Sequence, residues 1–420
     1  MPVQPLTELI RFVRRHSPFY AELYGELPAR VTQLTDLPVV PQNAFWRANT
    51  PQDNRLLTGP LHEAVVFKSG GTTGAPKFSF FTREEWREFT SAFGAGLVDS
   101  GLRPGHRVAD LFYAGEMYAS FTFILDSLHH SPVSNVRLPI GGAAPLESTV
   151  QTLEQFGVEV VAGTPTTLCA LADHLASSGR QLPRVELLLF GGESLYQDQQ
   201  PLLARAFPQA RPRSVGYASV DAGLLGRAVP GADPRIHRAF TPCTIVEILD
   251  EETGEPITRA GVPGKVVVTD LRRRLMPVLR YPAGDRAEWT DTHAGHFRIL
   301  GRSEEGVRVG PVSLYTQDVQ DLVRGADVAG RVSGVQLVVR HWDGRDGLLL
   351  RLAGDGEPAG LADLADAVRK EILTDRPMYA DAVDAGHIHP LSVEWVRHSD
   401  LAVNARSGKL IRIVDERMGS

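Results

Sequence analysis

The sequence predicts an α/β protein: a large N-terminal domain of parallel sheets covered by helices, bearing a β-rich subdomain, then a small α+β C-terminal domain. Three observations predict it. Strand-like runs alternate with helical patterns from residue 64 to 217, the signature of a parallel sheet with helical crossovers. Short strands then follow one another without helices over 239–300. Beyond Gly301 a hairpin, a helix and a last strand form a separate pattern. The length of 420 residues also exceeds one ordinary core. The expected domains are 1–302, with 239–300 as the β-rich subdomain, and 303–420.

Each element has a local reason. Leu6, Leu9, Ile10, Phe12 and Val13 recur at helical spacing, so one or two helices are expected over 6–27. Residues 28–62 are rich in Pro, Asn and Gln and read as irregular. Strands are expected at Ala64–Phe67, Arg107–Phe112, Ser134–Leu138, Val158–Ala162, Val185–Phe190 and Ser214–Tyr217. Helices are expected over 83–100, 117–130, 147–156, 166–178 and 195–207. The β-rich section offers Thr244–Leu249, Gly264–Thr269, Val278–Tyr281 and Phe297–Leu300. In the last domain Val335–His341 and Gly347–Leu352 form a hairpin, a helix covers 360–373, and a strand at Leu391–Arg397 precedes a polar tail.

Composition excludes several classes. The net charge is −6, and no cluster of Lys and Arg could neutralise a nucleic-acid backbone. No apolar stretch approaches the roughly 18 residues a spanning helix needs, so no membrane partner is expected. Cys169 and Cys243 stand far apart without metal-type spacing, and no signal-peptide pattern opens the chain; a reducing cytoplasm is expected. Whether the chain works alone or as a homodimer is open. Of 44 basic residues only Lys68, Lys77, Lys265, Lys370 and Lys409 are lysines. In so arginine-rich a chain, a retained lysine points to a task that needs a compact point charge, not a planar fork.

Lys77 ends the string Ser69-Gly70-Gly71-Thr72-Thr73-Gly74-Ala75-Pro76-Lys77. A nucleotide-binding P-loop would place the lysine directly after glycine and start a helix there. Here proline precedes the lysine and Phe78-Ser79-Phe80-Phe81 continues as a strand, so the string is the tip of a strand–loop–strand hairpin. Such a tip suits an anion, because glycines turn backbone N–H groups inward and hydroxyls add donors. A plain surface turn is the alternative at this point.

Further strings follow in order: GGES (191–194), GYASVD (216–221), RYPAGD (280–285), LGRSEE (300–305) and RSGKLIRIVDER (406–417). With SGGTTGAPK they resemble the ordered motifs of the adenylate-forming superfamily of acyl-CoA synthetases and adenylation domains. The N-terminal lead and the EETGEPITRAGVPGKVVVTDLRRRLMPVLRY segment are most similar to its phenylacetate–CoA ligase branch. The resemblance covers nearly the whole chain.

It implies ATP-dependent activation of a small, aromatic carboxylic acid to an acyl-adenylate, with release of pyrophosphate and transfer to CoA. Ser69, Gly70, Gly71, Thr72, Thr73, Gly74 and Lys77 would hold the ATP phosphates. Gly192, Glu193, Tyr217, Asp285 and Arg302 would take adenine and ribose. Tyr113, Ala114, Gly115, Gly191, Ala218 and Ser219 would line the acyl pocket. Asp221 stands where the family has a Mg²⁺-binding glutamate, one methylene shorter. Lys409 matches the catalytic lysine of the mobile C-terminal domain, and Glu304 the hinge, where the family usually has Asp.

Two departures concern the second half-reaction. Pro311 replaces the glycine expected on the thioester-forming face, removing an N–H and fixing φ, and Ala283 replaces a threonine. Transfer of the adenylate to a carrier protein, an amine or a reductase is therefore the alternative to CoA, and a degenerate nucleotide-binding protein is the non-enzyme alternative. His387 and His389 share a strand face but lack a third ligand nearby; a solvated face is the simpler expectation.

Overall fold

The structure, a computed structural model, describes residues 6–417 except 70–76, 194, 196–198, 232, 303–305, 311, 328, 355–360 and 406. The chain divides into two compact units, Met1–Gly141 with Pro212–Arg302, and Gly142–Arg211 with Ser303–Ser420.

In the first unit the helices Leu6–His16 and Pro18–Leu23 bury Leu9, Ile10, Val13, Phe19 and Tyr20. Ser17 caps the second helix by accepting from the Tyr20 N–H, and the Tyr20 hydroxyl donates to the Pro277 carbonyl at 2.9 Å. These helices thus join the core of the β-rich section, with Met276, Val278, Leu279 and Tyr281. The segment expected to be irregular contains a short 3-10 turn, Leu34–Asp36, and an α-helix, Gln42–Arg47; the helix buries Phe45 against Phe19 and Tyr281, contacts too distant in sequence for a local pattern to reveal.

Strands Ala64–Ser69 and Lys77–Thr82 pair antiparallel in the expected hairpin, with Ser69 opposite Lys77 and Phe67 opposite Ser79. Cross-strand partners and alternate residues share a face, so Phe67, Ser69, Lys77 and Ser79 point the same way. The helix Arg83–Asp99 starts at once, its first turn closed by reciprocal Thr82 and Glu85 bonds. Trp86, Phe89 and Phe93 recur along it at three- and four-residue steps and pack on Phe67, Phe81 and Leu224. Strands His106–Asp110 and Asn135–Pro139 run parallel, with the helix Ser120–His129 as their crossover.

The remainder of this unit is a seven-stranded antiparallel sheet. Its order is Thr244–Leu249, Pro263–Asp270, Tyr281–Asp291, His296–Arg302, Ile236–Ala239, Gly223–Ala228 and Tyr217–Ser219. The expected strand at Val278–Tyr281 starts only at Tyr281, because Arg280 has φ 44° and breaks the extended run.

In the second unit Val160–Gly163 and Leu187–Phe190 are fully buried parallel strands, accompanied by helices Leu146–Gln155, Pro165–Ser177 and Gln200–Ala206. A four-stranded sheet in this unit is ordered Ser392–Val396, Arg345–Gly354, Val332–Trp342, Ile413–Asp415. The expected hairpin is its centre. The segment read as a polar tail supplies a parallel edge strand, with Ile413 opposite Leu337. Helices Thr316–Ala326, Leu361–Asp375 and Pro377–Asp384 complete the core through Val319, Val323, Leu364, Val368, Ile372 and Tyr379.

Among the described residues no helix is long and apolar enough to cross a membrane.

Candidate active site

In the first unit the hairpin face bearing Ser69 and Ser79 meets Asp221. Ser69 Oγ donates to Asp221 Oδ1 at 2.6 Å and Ser79 Oγ to the same oxygen at 3.1 Å. The Asp221 turn is held from behind: its N–H donates to Ser219 Oγ at 3.2 Å, and its carbonyl accepts from Arg273 Nη1 at 2.6 Å. Arg273 is fully enclosed, lies 4.1 Å over the Phe81 ring, and has its guanidinium acidity raised chiefly by burial. Lys77 Nζ lies 5.3 Å over Trp46, whose indole N–H donates to the Tyr281 hydroxyl at 3.1 Å. Gly70, Gly71, Thr72, Thr73 and Gly74 lie outside the described residues.

Among the described residues no group of three or more His, Cys, Asp or Glu side chains forms a metal cage. The donor set is instead one carboxylate flanked by hydroxyls. That fits Mg²⁺, which keeps its waters and is commonly held by one or two carboxylates plus substrate phosphates.

Tyr217 donates its hydroxyl hydrogen to Asp285 Oδ2 at 2.5 Å. Gly216 has φ 122°, and a Cβ there would lie 2.6 Å from Phe93, so only glycine lets Tyr217 enter its strand this way. Below the ring sit His237 and Phe297, with centroids 5.9 and 6.0 Å away. His237 Nδ1 faces the Arg235 carbonyl at 2.9 Å and Nε2 faces Ser214 Oγ at 3.1 Å, the pattern of a neutral ring; burial pushes its pKa down to about 4. Asp285 lies opposite Arg302 in the strand register, which brings two expected ribose residues to one place on the sheet.

Tyr113, Ala114 and Gly115 follow the strand His106–Asp110. The Tyr113 carbonyl accepts from Ser120 Oγ at 3.1 Å, and the Met117 carbonyl accepts from the Lys68 N–H at 2.9 Å. Gly115, Glu116 and Met117 all have positive φ, so this tie to the end of strand Ala64–Ser69 is a strained turn. Asp110, at the strand end, is buried; Oδ1 accepts from the Phe112 N–H while Oδ2 has no hydrogen-bond partner, and burial pushes its pKa up to about 8. Ala218 packs beside the Phe67–Trp86–Phe93 cluster.

In the second unit Gly191 is buried, and its N–H points to the Gly163 carbonyl at 3.3 Å. Gly192 has φ 79°, and the Lys409 chain lies against it: a Cβ on Gly192 would sit 2.8 Å from Lys409 Cε and 3.2 Å from Nζ. Glu193 Oε2 accepts from Thr166 Oγ1 at 2.7 Å and from its N–H at 3.2 Å, while Oε1 accepts from the Leu410 N–H at 2.6 Å. The segment carrying Lys409 is a folded loop, with the Asn404 N–H donating to the Lys409 carbonyl at 2.8 Å and Gln336 Nε2 donating to the Ile411 carbonyl at 2.6 Å.

Also in this unit, the hairpin of Gly306–Val309 and Val312–Tyr315 turns at Gly310. Gly310 has φ 54°, and a Cβ would lie 2.4 Å from Ile388. Glu304 and Pro311 lie outside the described residues. His389 stacks on Trp342 at 3.7 Å and bonds its carbonyl, a packing role.

Several residues around these clusters were not singled out by the sequence. Trp46, Ser79 and Arg273 are far in sequence from their partners and have no motif of their own. Arg280 is enclosed and forms a two-pronged pair with Glu247 at 3.0 and 3.1 Å, fixing the turn that leads into Tyr281 and Asp285. Its arginine did stand inside RYPAGD, but a buried pairing partner could not be read from the string.

The AMP-binding enzyme family matches residues 26–271. The chain is 26% identical to phenylacetate-coenzyme A ligase of Thermus thermophilus over 363 residues, covering 80% of this chain and 77% of the relative. It is 24% identical over 259 residues to indoleacetate–lysine synthetase of Pseudomonas savastanoi, covering 60% of each. A crystal structure of 2-hydroxyisobutyryl-CoA ligase in the postadenylation state shares the fold, with a TM-score of 0.75 at 19% identity over 99% of this chain and 88% of that one. Because the family match spans more than half of the sequence, the chain belongs to the AMP-binding enzyme family, as an adenylate-forming enzyme similar to phenylacetate-CoA ligase.

Proposed function

We propose that the protein activates a small aromatic carboxylic acid with ATP and passes the acyl group to CoA. The observation that carries this reading is the Asp221 carboxylate fastened by Ser69 and Ser79 at the foot of a Ser/Gly/Thr loop. A carboxylate beside a polyphosphate site repels its ligand unless a cation stands between them. Bound there, Mg²⁺ would supply positive charge to the phosphate oxygens, with Asp221 and its hydroxyl neighbours holding it.

The chain's own groups then have defined tasks. Ser69, Thr72, Thr73, the loop glycines and Lys77 hold the outer phosphates. Asp285 takes the ribose hydroxyls, with Tyr217 ordering it and presenting a ring to the base. Lys409 offers an ammonium between the attacking carboxylate and the α-phosphate. Two anions must approach there, and a preplaced cation stabilises the charge that develops as the P–O bond forms and pyrophosphate leaves. The 303–420 segment acts as a lid about Glu304, bringing Lys409 for the first step and the Gly310 turn for the second. The names of the relatives support an aryl acid and CoA.

One observation favours a second reading for the acceptor. Pro311 removes an N–H from the expected thioester face, and one relative is named indoleacetate–lysine synthetase. An amine acceptor is therefore the alternative. Acid-dependent ATP–pyrophosphate exchange over a panel of aryl and alkyl acids tests the first step, and product analysis with CoA or lysine tests the second. Absence of exchange with every acid would sink the activation reading; acyl-lysine without acyl-CoA would replace CoA by the amine.

A further inference from the structure

The adenine-side turn and the C-terminal lysine segment meet within the second unit, residue against residue. Gly192 receives the Lys409 side chain in the space a Cβ would fill, 2.8 Å from Cε. The next residue, Glu193, receives the next backbone amide, Leu410 N–H, at 2.6 Å. The other carboxylate oxygen is tied to Thr166 through both its N–H and its hydroxyl. Thr166 lies in the first turn of the helix Pro165–Ser177, where backbone N–H groups lack helical partners and a negative charge is favoured. Glu193 therefore has one oxygen anchored on a helix end and the other holding the lysine segment. A carboxylate fully engaged this way is poorly placed to serve the base of a nucleotide.

We propose that Glu193 is a positioning residue for Lys409: by holding the Leu410 amide it fixes where the ammonium stands during adenylation. This rests on the reading of Lys409 as the adenylating lysine. The bond exists only while the lysine segment is seated on the turn, so Glu193 serves the first half-reaction and not the second. A bond from a backbone amide to a charged carboxylate is among the stronger kinds, and its loss corresponds to a rate decrease on the order of tenfold or more.

The test uses the full chain with Glu193→Ala, Glu193→Gln and Thr166→Val. Glutamine keeps the length but must turn an NH₂ toward either Thr166 N–H or Leu410 N–H, so one end of the clasp opens. Hydrogen exchange of the peptide 407–412, measured without substrates, should gain a fast amide in Glu193→Ala. Acid-dependent ATP–pyrophosphate exchange should lose about tenfold in kcat with KM for ATP unchanged, and thioester formation from supplied acyl-adenylate should keep its rate. Thr166→Val should show the same pattern, smaller, and Glu193→Ala should cost nothing further in a Lys409→Ala background.

A raised KM for ATP with unchanged kcat would return Glu193 to the nucleotide and overturn the proposal. So would unchanged exchange of 407–412 in all three variants. If Lys409→Ala itself kept full pyrophosphate exchange, the reading of the lysine would fail, while the amide exchange of Glu193→Ala would still report whether the clasp exists.

Discussion

Tyr217 and Asp285 share a 2.5 Å hydrogen bond although their strands stand four places apart in one sheet. Strands are spaced by about 4.8 Å, so a flat sheet would separate them by roughly 19 Å, beyond the reach of both side chains together. The sheet must curl to close this gap, and the His237 and Phe297 rings pack against Tyr217. The Asp285 carboxylate is thereby oriented by the fold itself. Tyr217→Phe should raise KM for ATP by about tenfold with little change in kcat, since it removes one hydrogen bond from Asp285 without deleting the carboxylate. Asp285→Ala should in addition erase discrimination between ATP and its 2′-deoxy analogue. Equal discrimination in wild type and Asp285→Ala would remove the carboxylate from the ribose.

Lys409→Ala should lower acid-dependent pyrophosphate exchange by a factor of about 10²–10³, the scale of deleting one preplaced electrostatic group, while a supplied acyl-adenylate is still consumed. Gly192→Ala should resemble it, because φ 79° disfavours a side chain and the methyl would stand 2.8 Å from Lys409 Cε. Near wild-type exchange in Lys409→Ala would refute the role.

Asp221→Asn should raise the Mg²⁺ concentration needed for half-maximal exchange, about tenfold or more, and Ser79→Ala should do so to a smaller degree. Asn keeps the shape and loses the charge on which the cation depends. A magnesium titration of exchange checks this, and an unchanged midpoint in Asp221→Asn would place the metal elsewhere.

The enclosed pair Arg280–Glu247 gives a stability prediction. Burial raises the Glu247 pKa more than Arg280 lowers it, so desolvation outweighs the attraction. Such a pair adds little against an apolar substitute, yet removing one partner strands the other charge. Glu247→Ala should cost about 3–5 kcal/mol in denaturant unfolding, and a loss below 1 kcal/mol would show that Arg280 finds solvent.

Three buried groups set a pH profile for stability. His237 and His398 have pKa values lowered to about 4 by burial, whereas the unfolded chain takes up these protons near 6.5. Their contribution is present above pH 6.5 and is lost as pH falls toward 4. Asp110 has the opposite sign. Its folded pKa of about 8 exceeds the ordinary carboxyl value of 3.8, so its contribution is complete below pH 4 and disappears as pH rises to 8. Melting temperature should fall from pH 6.5 toward 4, and Asp110→Asn should gain stability relative to wild type as pH rises from 5 to 8. A pH-independent difference between Asp110→Asn and wild type would contradict the buried neutral acid.

Much of this protein is legible in sequence order alone. The βα alternation, the hairpin around SGGTTGAPK, the β-rich stretch and the separate C-terminal pattern all arise from local periodicity and turn chemistry, which a linear string records. Ser69, Asp221, Asp285 and Lys409 are singled out differently, by a resemblance to ordered family motifs and not by periodicity. The tertiary structure decided the pairings across long sequence gaps: Trp46 under Lys77, Ser79 and Arg273 around Asp221, Glu247 on Arg280, and the tail strand Ile413–Asp415 on the central hairpin. It also gave Glu193 its partners. The motif placed that carboxylate beside a nucleotide, but only the folded chain brings the Leu410 amide within 2.6 Å of it. Local pattern reports which face of an element is apolar or which turn needs glycine. Which distant donor meets a given carboxylate depends on sheet curl and loop closure, and neither leaves a periodic trace in sequence.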